Sequence, residues 1–416
     1  SRMATKAEEN QYSTRIIVPM QMLGRTESGP LSSNECKLSC AEERYLASLD
    51  EKQRMQTLND LKQYNKPNKI PLRIRILQSN LSLSDKQDVF HKLSTACDHK
   101  FDSWIQYLLA IPMGKLAPPP ITCSNQVSEF LHQTRHKMDA FVYGQHEAKD
   151  EIMRLLCQWS SSGCLTSFAI ALEGPPGIGK TTFAKNVVAK VMGRPFNFIS
   201  LGGATDAAQL IGHSYTYEGA IPGRIAECLK SSKVMNPCFY FDELDKISKT
   251  PKGDEITNLL VHLTDREQNS QFHDRYFSNI SLDISQSLFV FSYNYAQQIS
   301  PVLLDRLNII RLKPPNVEEK IKIAKLHLLP KALKESALDT NQLQLTDATI
   351  EYIITSYTNE SGVRNLEKAL CRIASTVGVL IRAPGVLKLM YESNYGNSCD
   401  TSLIDKILGE KEENNN

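Results

Sequence analysis

Nine consecutive residues near the middle of the chain have the types and spacing that bind a phosphate chain: Gly174-Pro175-Pro176-Gly177-Ile178-Gly179-Lys180-Thr181-Thr182. They fit the pattern G-x-x-x-x-G-K-[ST]. The three glycines let the backbone fold into a tight nest whose N–H groups point at a nucleotide's phosphates. Lys180 adds a mobile positive charge there, and the Thr181 hydroxyl can ligate Mg²⁺. The motif therefore predicts a nucleotide-binding loop.

The residues on both sides of this loop support the interpretation. The apolar run Phe168 to Leu172 precedes it and is typical of a buried parallel strand. Phe183, Val187 and Val191 follow it at helical spacing, so a helix dipole would add to the anion site. The alternative is a Gly/Pro turn that binds nothing, and the strand-loop-helix context argues against it.

A second stretch, Cys238 to Glu243, is an apolar run that ends in two acids. Its distance after Lys180 suits a strand beside the phosphate loop at the carboxyl edge of a parallel sheet. Asp242 would then hold Mg²⁺ through water, and Glu243 would act as general base toward the attacking water. Alone, the pattern fits equally well a strand followed by an acidic helix N-terminus; behind a phosphate loop the functional interpretation is favoured.

A third strand, Leu288 to Tyr293, ends at Asn294. An asparagine at the edge of the sheet can orient the attacking water beside the γ-phosphate.

The composition limits the class of protein. The 416 residues suffice for two to three domains, and a net charge of +2 does not indicate a nucleic-acid partner. We expect the ten cysteines to be reduced thiols, because no pattern completes a zinc set, and His132 and His136 lack a third ligand. With no apolar run of membrane-spanning length and no secretory signal, we expect a soluble intracellular protein of unspecified compartment, without membrane contact.

Composition and periodicity divide the chain into five segments. We predict a partly helical N-terminal arm, a helical N-terminal region, an α/β nucleotide-binding domain with a parallel sheet, a helical domain and a disordered tail. Their predicted boundaries are 1–64, 65–124, 125–315, 316–408 and 409–416.

The whole set of motifs resembles an AAA+ ATPase, and in particular the ATPase module of Lon proteases. The resemblance extends from about Trp104 to Leu408, and the region from Ile70 to Lys115 is similar to short Lon-like proteins of large DNA viruses, so a viral origin is possible. Besides the phosphate loop, it is carried by Gly212-His213, Thr216-Tyr217, Pro222-Gly223, Asp242-Glu243, Asp245-Lys246-Ile247, Glu267-Gln268-Asn269, Asp305-Arg306 and Ser361 to Leu366.

The resemblance implies a P-loop NTPase core followed by a helical lid, with ATP or ADP and Mg²⁺ as ligands. It also implies a homo-oligomeric ring, a hexamer, that acts on a polypeptide client. The implied roles are sensor 1 for Asn294, the arginine finger for Arg306, sensor 2 for Arg364, adenine contact for Tyr143 and Gly144, and pore-loop grip for Tyr217.

Two features differ from the Lon pattern. Glu218 replaces the aliphatic residue that usually follows the pore-loop tyrosine, and Ser214-Tyr215 replaces a basic pair.

About forty residues follow Val377, which is too few for the Ser-Lys peptidase domain of Lon.

We therefore expect a Lon-like AAA+ ATPase that remodels or threads polypeptides without peptidase activity of its own. The alternatives are a nucleotide-binding assembly or scaffold protein and an excised ATPase fragment of a full Lon protease. A DNA-associated AAA+ protein is a further alternative, which the charge balance does not support.

Overall fold

The computed structural model describes residues 40–64, 70–95, 99–119, 127–162, 168–265, 267–278, 280–383, 386 and 401–409. The chain divides into two units, Ser1–Pro71 and Leu72–Asn416. In the first unit two helices are described, α1 (Cys40–Ser48) and α2 (Glu51–Tyr64). The predicted tail after Gly409 lies outside the described residues.

A parallel sheet and a separate antiparallel pair form the β-structure of the second unit. Their strands are β1 (Phe168–Glu173), β2 (Phe196–Ser200), β3 (Cys238–Asp242), β4 (Phe272–His273), β5 (Ser281–Leu282), β6 (Leu288–Tyr293) and β7 (Asn308–Arg311). The five-stranded parallel sheet lies at the centre of this unit, in the order β2-β3-β6-β1-β7. The antiparallel pair, β4 and β5, lies between β3 and β6 in the chain.

The inner strands are continuous apolar runs because both faces of the sheet are covered. Every residue of β6 is buried, and so are the first four of β3. On one face Phe239 stacks on Phe289 and Phe241 on Phe291, with ring centroids 5.6 and 5.0 Å apart. Such runs are typical of parallel strands between two helical layers. The carboxyl ends of β1, β3 and β6 are thereby brought to one edge.

Helices cover the sheet and continue beyond it. A π-helix, Ala184–Ala189, directly follows the α-helix Lys180–Phe183, and a second one, Ala324–Leu328, joins the α-helices Val317–Ile323 and Leu329–Glu335. Short 3-10 helices lie at Leu244–Lys246, Asn269–Gln271 and Ala296–Gln298. The α-helices of the second unit are α3 (Leu72–Gln78), α4 (Leu83–Thr95), α5 (His99–Ala110), α6 (Val127–Phe141), α7 (His146–Ser162), α8 (Lys180–Phe183), α9 (Ala208–Ile211), α10 (Arg224–Ser232), α11 (Pro251–Thr264), α12 (Pro301–Leu304), α13 (Val317–Ile323), α14 (Leu329–Glu335), α15 (Asp347–Tyr357), α16 (Arg364–Arg382) and α17 (Thr401–Leu408).

The helical region α3 to α5 shares one hydrophobic core with the sheet. Trp104 of α5 is fully buried there, and its indole N–H donates to the carbonyl of Tyr276 at 2.8 Å. Trp104 also packs against Phe101, with ring centroids 5.4 Å apart. This region is therefore part of the same packed body as the nucleotide-binding core.

Helices α13 to α17 form a separate hydrophobic core of their own. A capping box starts α13: the Asn316 side chain accepts from the Glu319 N–H, and the Glu319 side chain accepts from the Asn316 N–H. Leu366, Leu370, Ile373 and Val377 form the buried face of α16. This domain follows the sheet directly.

The predicted fold class is confirmed: a parallel α/β core is preceded by a helical region and followed by a helical domain. The five boundaries given above stay a prediction. Across the part of the chain that is described, no helix combines the length and apolar character needed to cross a membrane.

Candidate nucleotide site

The phosphate loop lies between β1 and α8, as its sequence predicts. Lys180 is the first residue of α8, and its ammonium group donates to the carbonyls of Gly174 and Pro175 at 2.7 and 3.0 Å. The same group donates to Asn294 Oδ1 at 2.5 Å, so two residues predicted separately meet here. Burial lowers the pKa of Lys180, while the nearby charges of Asp242 and Asp245 oppose that shift. Lys180 is therefore a half-buried cation at the mouth of the loop.

Asp242 ends β3 next to the loop. The Ser292 hydroxyl, on the neighbouring strand β6, donates to Asp242 Oδ1. The Tyr240 hydroxyl donates to the same oxygen at 3.1 Å, and it lies 3.1 Å from Thr181 Oγ1. A hydrogen-bonded chain thus joins the two residues predicted to hold Mg²⁺. The sequence interpretation assigned no role to Tyr240 or Ser292.

Glu243 extends beyond the strand into the cleft. Its backbone is left-handed, with φ of 60°, which is uncommon for a residue with a side chain and occurs often at functional sites. Its carboxylate lies against Gly202, where a Cβ would come within 1.8 Å of Oε2. The side chain is exposed, so its carboxylate is accessible to a water molecule in the cleft.

Asp245 fixes the position of Asn294. It is buried, and its Oδ2 accepts the backbone N–H groups of Asn294 and Tyr295, both at 3.2 Å. Its Oδ1 has no hydrogen-bond partner among the described residues. Sequence reasoning included Asp245 only as part of the Lon pattern, because a contact across fifty residues of chain leaves no local signal.

The helical domain closes onto the loop at the start of α16. The Val363 N–H donates to the Gly177 carbonyl at 3.0 Å. Gly362 lies so close that a Cβ would meet the carbonyl carbon and oxygen of Gly177 at 2.5 and 2.6 Å. Arg364, the predicted sensor 2, is the first residue of α16 and therefore lies beside the loop.

These elements enclose a cleft of about 570 Å³. The Phe141 to Gln145 segment forms its opposite wall, where the Lys322 ammonium lies 5.6 Å from the centroid of the Tyr143 ring. The predicted site residues that line the cleft are Tyr143, Gly144, Pro176, Gly177, Ile178, Gly179, Lys180, Thr181, Thr182, Asp242, Glu243, Asn294 and Arg364.

Two side chains hold the Tyr143 wall in place, and neither was singled out from sequence. The Gln145 amide donates to the Lys313 carbonyl at 2.6 Å and accepts from the Lys313 N–H at 3.1 Å. Lys149 is fully buried and donates to Asp139 Oδ1 and the Val142 carbonyl, at 2.7 and 2.6 Å. The wall is therefore anchored on both sides of Tyr143.

Arg306 is not among the residues that line this cleft. It pairs instead with Asp265, with 2.7 Å between Nη1 and Oδ2, and remains partly exposed. This ion pair lowers the pKa of the Asp265 carboxyl. If Arg306 acts in a nucleotide site, that site must therefore belong to another copy of the chain.

The predicted pore-loop pair lies on an exposed turn. Tyr217 is 70% exposed and Glu218 is exposed beside it. At the base of this loop the buried Asp274 accepts the Gly223 N–H at 2.8 Å, and its other oxygen accepts the Tyr276 N–H at 2.8 Å. Burial raises the pKa of Asp274 to about 7.

Tyr215, one of the departures from the Lon pattern, contacts the N-terminal helical region. Its ring lies 5.8 Å from that of Trp104, and the Lys92 ammonium lies 5.0 Å from the Trp104 centroid and 5.5 Å from that of Tyr215. The loop that carries Tyr217 is thus connected to α5.

The donor set at the loop fits Mg²⁺. Thr181 and Asp242 offer oxygen atoms, which this hard cation prefers. Within the described residues no group of three or more His, Cys, Asp or Glu side chains could hold a metal ion. Mg²⁺ in nucleotide sites is usually bound by one or two protein oxygens together with substrate phosphates.

Comparison with known proteins identifies two family matches and several relatives. Residues 170–315 match the family described as ATPase family associated with various cellular activities (AAA), and residues 334–382 match the Lon protease AAA+ ATPase lid domain. A Lon protease 2 of Hydrogenovibrio crunogenus is 37% identical over 277 residues, 67% of this chain and 30% of that protein. A Lon protease homolog of Acanthamoeba polyphaga mimivirus is 38% identical over 251 residues, 60% of this chain and 24% of that protein. The chain thus spans less than a third of the length of these two relatives.

Proposed function

This chain carries an AAA ATPase core followed by a Lon-type lid, and from that premise we propose that it hydrolyses ATP to drive work on a polypeptide. The observation that carries the proposal is the meeting of Lys180 and Asn294 across the cleft. The Lys180 ammonium, the Asn294 amide and the Glu243 carboxylate all line the same cleft.

Each residue has a step in hydrolysis. Lys180 exchanges its bonds to the loop carbonyls for the β- and γ-phosphates, and Asn294 orients the attacking water. Glu243 accepts a proton from that water. Thr181 and Asp242 would hold Mg²⁺, which neutralises charge on the phosphates. Arg364 approaches the phosphates from the lid.

Substitution of Lys180 and Glu243 tests the ATPase proposal. Lys180→Ala should weaken ATP binding roughly tenfold to a hundredfold, because a charge-assisted hydrogen bond contributes about 1.5–3 kcal/mol. Glu243→Gln should bind ATP normally and lose about 10²–10⁴ in turnover, because only the base is removed. Nucleotide titration and phosphate release measure the two effects. Turnover by Glu243→Gln at the unmodified rate would contradict the assignment of the base.

We further propose that Tyr217 grips a polypeptide in the pore of a ring, a hexamer by its resemblance to Lon. The support is the 70% exposure of this aromatic side chain on a turn whose base is fixed by Asp274. An aromatic ring offers a large contact area with few rotatable bonds and does not select for sequence. Glu218 would place an acid on each loop, so basic clients should be preferred, most strongly at low salt.

Client-stimulated hydrolysis separates this motor from a scaffold. Tyr217→Ala should keep the basal ATPase rate and lose stimulation by an unfolded basic protein. Glu218→Ile should extend stimulation to neutral and apolar clients. The rates are compared for unfolded proteins of different charge at two ionic strengths. A protein that no client stimulates, and that Tyr217→Ala leaves unchanged, would instead be an assembly or scaffold protein.

We propose no peptide-bond hydrolysis for the matched region, because its two matches are an ATPase core and a lid. Incubation with an unfolded fluorescent protein and ATP should release no peptides under conditions in which ATP is hydrolysed. ATP-dependent peptide release that an active-site serine inhibitor abolishes would contradict this part of the proposal.

A further inference from the structure

Tyr240 places a hydroxyl group in a buried position of a strand, where an apolar side chain would be sufficient for packing. It lies in the middle of β3, fully buried, and its ring packs against those of Phe196 and Phe198 on β2. Packing accounts for the ring, but it does not account for the hydroxyl. A buried hydroxyl is costly unless it is hydrogen-bonded.

The hydroxyl of Tyr240 contacts both predicted Mg²⁺ ligands, and it also interacts with the Ser292 hydroxyl. The Tyr240 hydroxyl lies 3.1 Å from Thr181 Oγ1 and donates to Asp242 Oδ1 at 3.1 Å. Because a phenol has only one hydrogen, the contact with Thr181 must have Thr181 as its donor. The direction of the chain is therefore Thr181 to Tyr240 to Asp242.

This direction orients both ligands. With its hydrogen turned toward Tyr240, Thr181 Oγ1 keeps lone pairs for a cation. On Asp242 the two hydrogen bonds, from Tyr240 and from Ser292, both end at Oδ1. Neither uses Oδ2, which is left for a metal-bound water. Hydrogen bonds of this kind from residues behind the ligands commonly set their orientation and the affinity for the metal.

We propose that Tyr240 is a positioning residue that presets Thr181 and Asp242 for the Mg²⁺ of a bound nucleotide. This inference rests on the proposed ATPase function. It predicts an effect on the Mg²⁺ requirement of nucleotide binding, a property that can be measured without turnover.

The test is Tyr240→Phe, which keeps the ring and removes only the hydroxyl. Binding of a fluorescent ADP analogue is titrated with Mg²⁺, and again in EDTA. The Mg²⁺ concentration for half-maximal enhancement of binding should rise about threefold to tenfold, as expected for the loss of one net hydrogen bond. Binding in EDTA should stay unchanged, because the phosphate loop and Lys180 are untouched.

Tyr293→Phe is the matched control. Tyr293 is equally buried on the adjacent strand β6, and its hydroxyl has no hydrogen-bond partner within the described structure. Nucleotide binding by Tyr293→Phe should depend on Mg²⁺ in the same way as nucleotide binding by the unmodified protein. Thermal unfolding of both variants checks that each is folded.

A second variant keeps the test decisive if Tyr240→Phe is unstable. Ser292→Ala removes the other hydrogen bond to Asp242 Oδ1 but leaves Thr181 with its partner, so it should raise the Mg²⁺ requirement less than Tyr240→Phe.

The possible failures are distinguishable. If the unmodified protein binds no nucleotide, the proposed function fails. If it binds nucleotide in a Mg²⁺-dependent way and Tyr240→Phe has the same or a lower Mg²⁺ requirement, only the role of Tyr240 is overturned.

Discussion

Single side chains in this protein connect parts of the chain that are far apart in sequence. Asp274 is the clearest example outside the nucleotide site. It is fully buried and uses its two oxygens to hold Gly223, at the end of the Tyr217 loop, and Tyr276, which in turn receives the Trp104 indole. Burial raises its pKa from 3.8 to about 7, with a smaller contribution from the charge of Glu227.

Asp274 should make stability depend on pH in a defined window. Its pKa is higher in the folded chain than in the unfolded one, so the folded state binds the extra proton between about pH 4 and pH 7. The free energy of unfolding should therefore fall as pH rises through this window, by about 1.4 kcal/mol per pH unit at most, and level off above it.

Comparison with Asp274→Asn isolates this effect. The amide does not titrate, so the unmodified protein should lose stability relative to Asp274→Asn between pH 5 and pH 7. Denaturant unfolding of both proteins across this range measures the difference. Two parallel pH profiles would show that Asp274 titrates normally.

At the scale of elements, the contact between lid and phosphate loop depends on two glycines. Gly362→Ala would place a Cβ about 2.5 Å from the backbone of Gly177, and backbone atoms cannot move aside as a flexible side chain can. We expect the start of α16 to shift away from the loop, which moves Arg364 with it. Nucleotide binding, measured by titration, should weaken while the folded content stays the same.

Gly378→Ala is the control for this substitution. Gly378 lies inside the same helix, where a Cβ would meet its nearest neighbours at 3.7 Å or more. Replacing a helix-interior glycine by alanine should stabilise the protein by about 0.5–1 kcal/mol and leave nucleotide binding unchanged. Equal binding by the two variants would show that the tight Gly362 contact is not needed for the site.

The proposed function of the Tyr217 loop should depend on the contact that Tyr215 makes with the N-terminal helices. Tyr215→Ala removes the contact with Trp104, and an aromatic pair contributes about 0.5–1.5 kcal/mol beyond its buried area. Stimulation of the ATPase by an unfolded protein should fall, while the basal rate is kept. Tyr215→Phe retains the ring and should behave as the unmodified protein. If an unfolded protein stimulates Tyr215→Ala as much as the unmodified protein, the function of the Tyr217 loop does not depend on its contact with the N-terminal helices.

Sequence predicted those parts of the site whose chemistry restricts residue type. Phosphate binding requires glycines followed by Lys180, and the two acids at the end of β3 were placed by their distance from that loop. Tyr240 and Asp245 were not predicted to support the site, because their importance depends on neighbours brought close only by strand pairing. The order of the strands was not predicted for the same reason: alternation and apolar runs define strands but not their partners.

At the scale of the whole molecule, Arg306 shows that one chain does not complete its predicted site. It lies outside the cleft and pairs with Asp265. A guanidinium has five N–H donors, so the pair with Asp265 can hold the side chain in place and leave donors for a neighbour's phosphate. The predicted ring would thus supply the finger from the adjacent copy.

Mixed rings test this sharing. Arg306→Ala alone should bind ATP and lose on the order of 10³–10⁵ in rate, the contribution of such a finger in other phosphoryl transfers. Glu243→Gln alone should also lose most of its activity, because it lacks the general base. At equal amounts in randomly mixed rings, about one interface in four pairs an intact base with an intact finger. ATPase activity should therefore return to about a quarter of the unmodified rate and fall on either side of equal mixing.

The control for mixing is Arg306→Ala combined with a protein that carries both Arg306→Ala and Glu243→Gln. No interface in those rings has a finger, so no activity should return at any ratio. Native mass spectrometry establishes that mixed rings have formed. If mixed rings are present and the first pair of variants also stays inactive at every ratio, Arg306 does not act across the interface. Its ion pair with Asp265 would then be its whole role, holding α12 against the end of α11 within a single subunit.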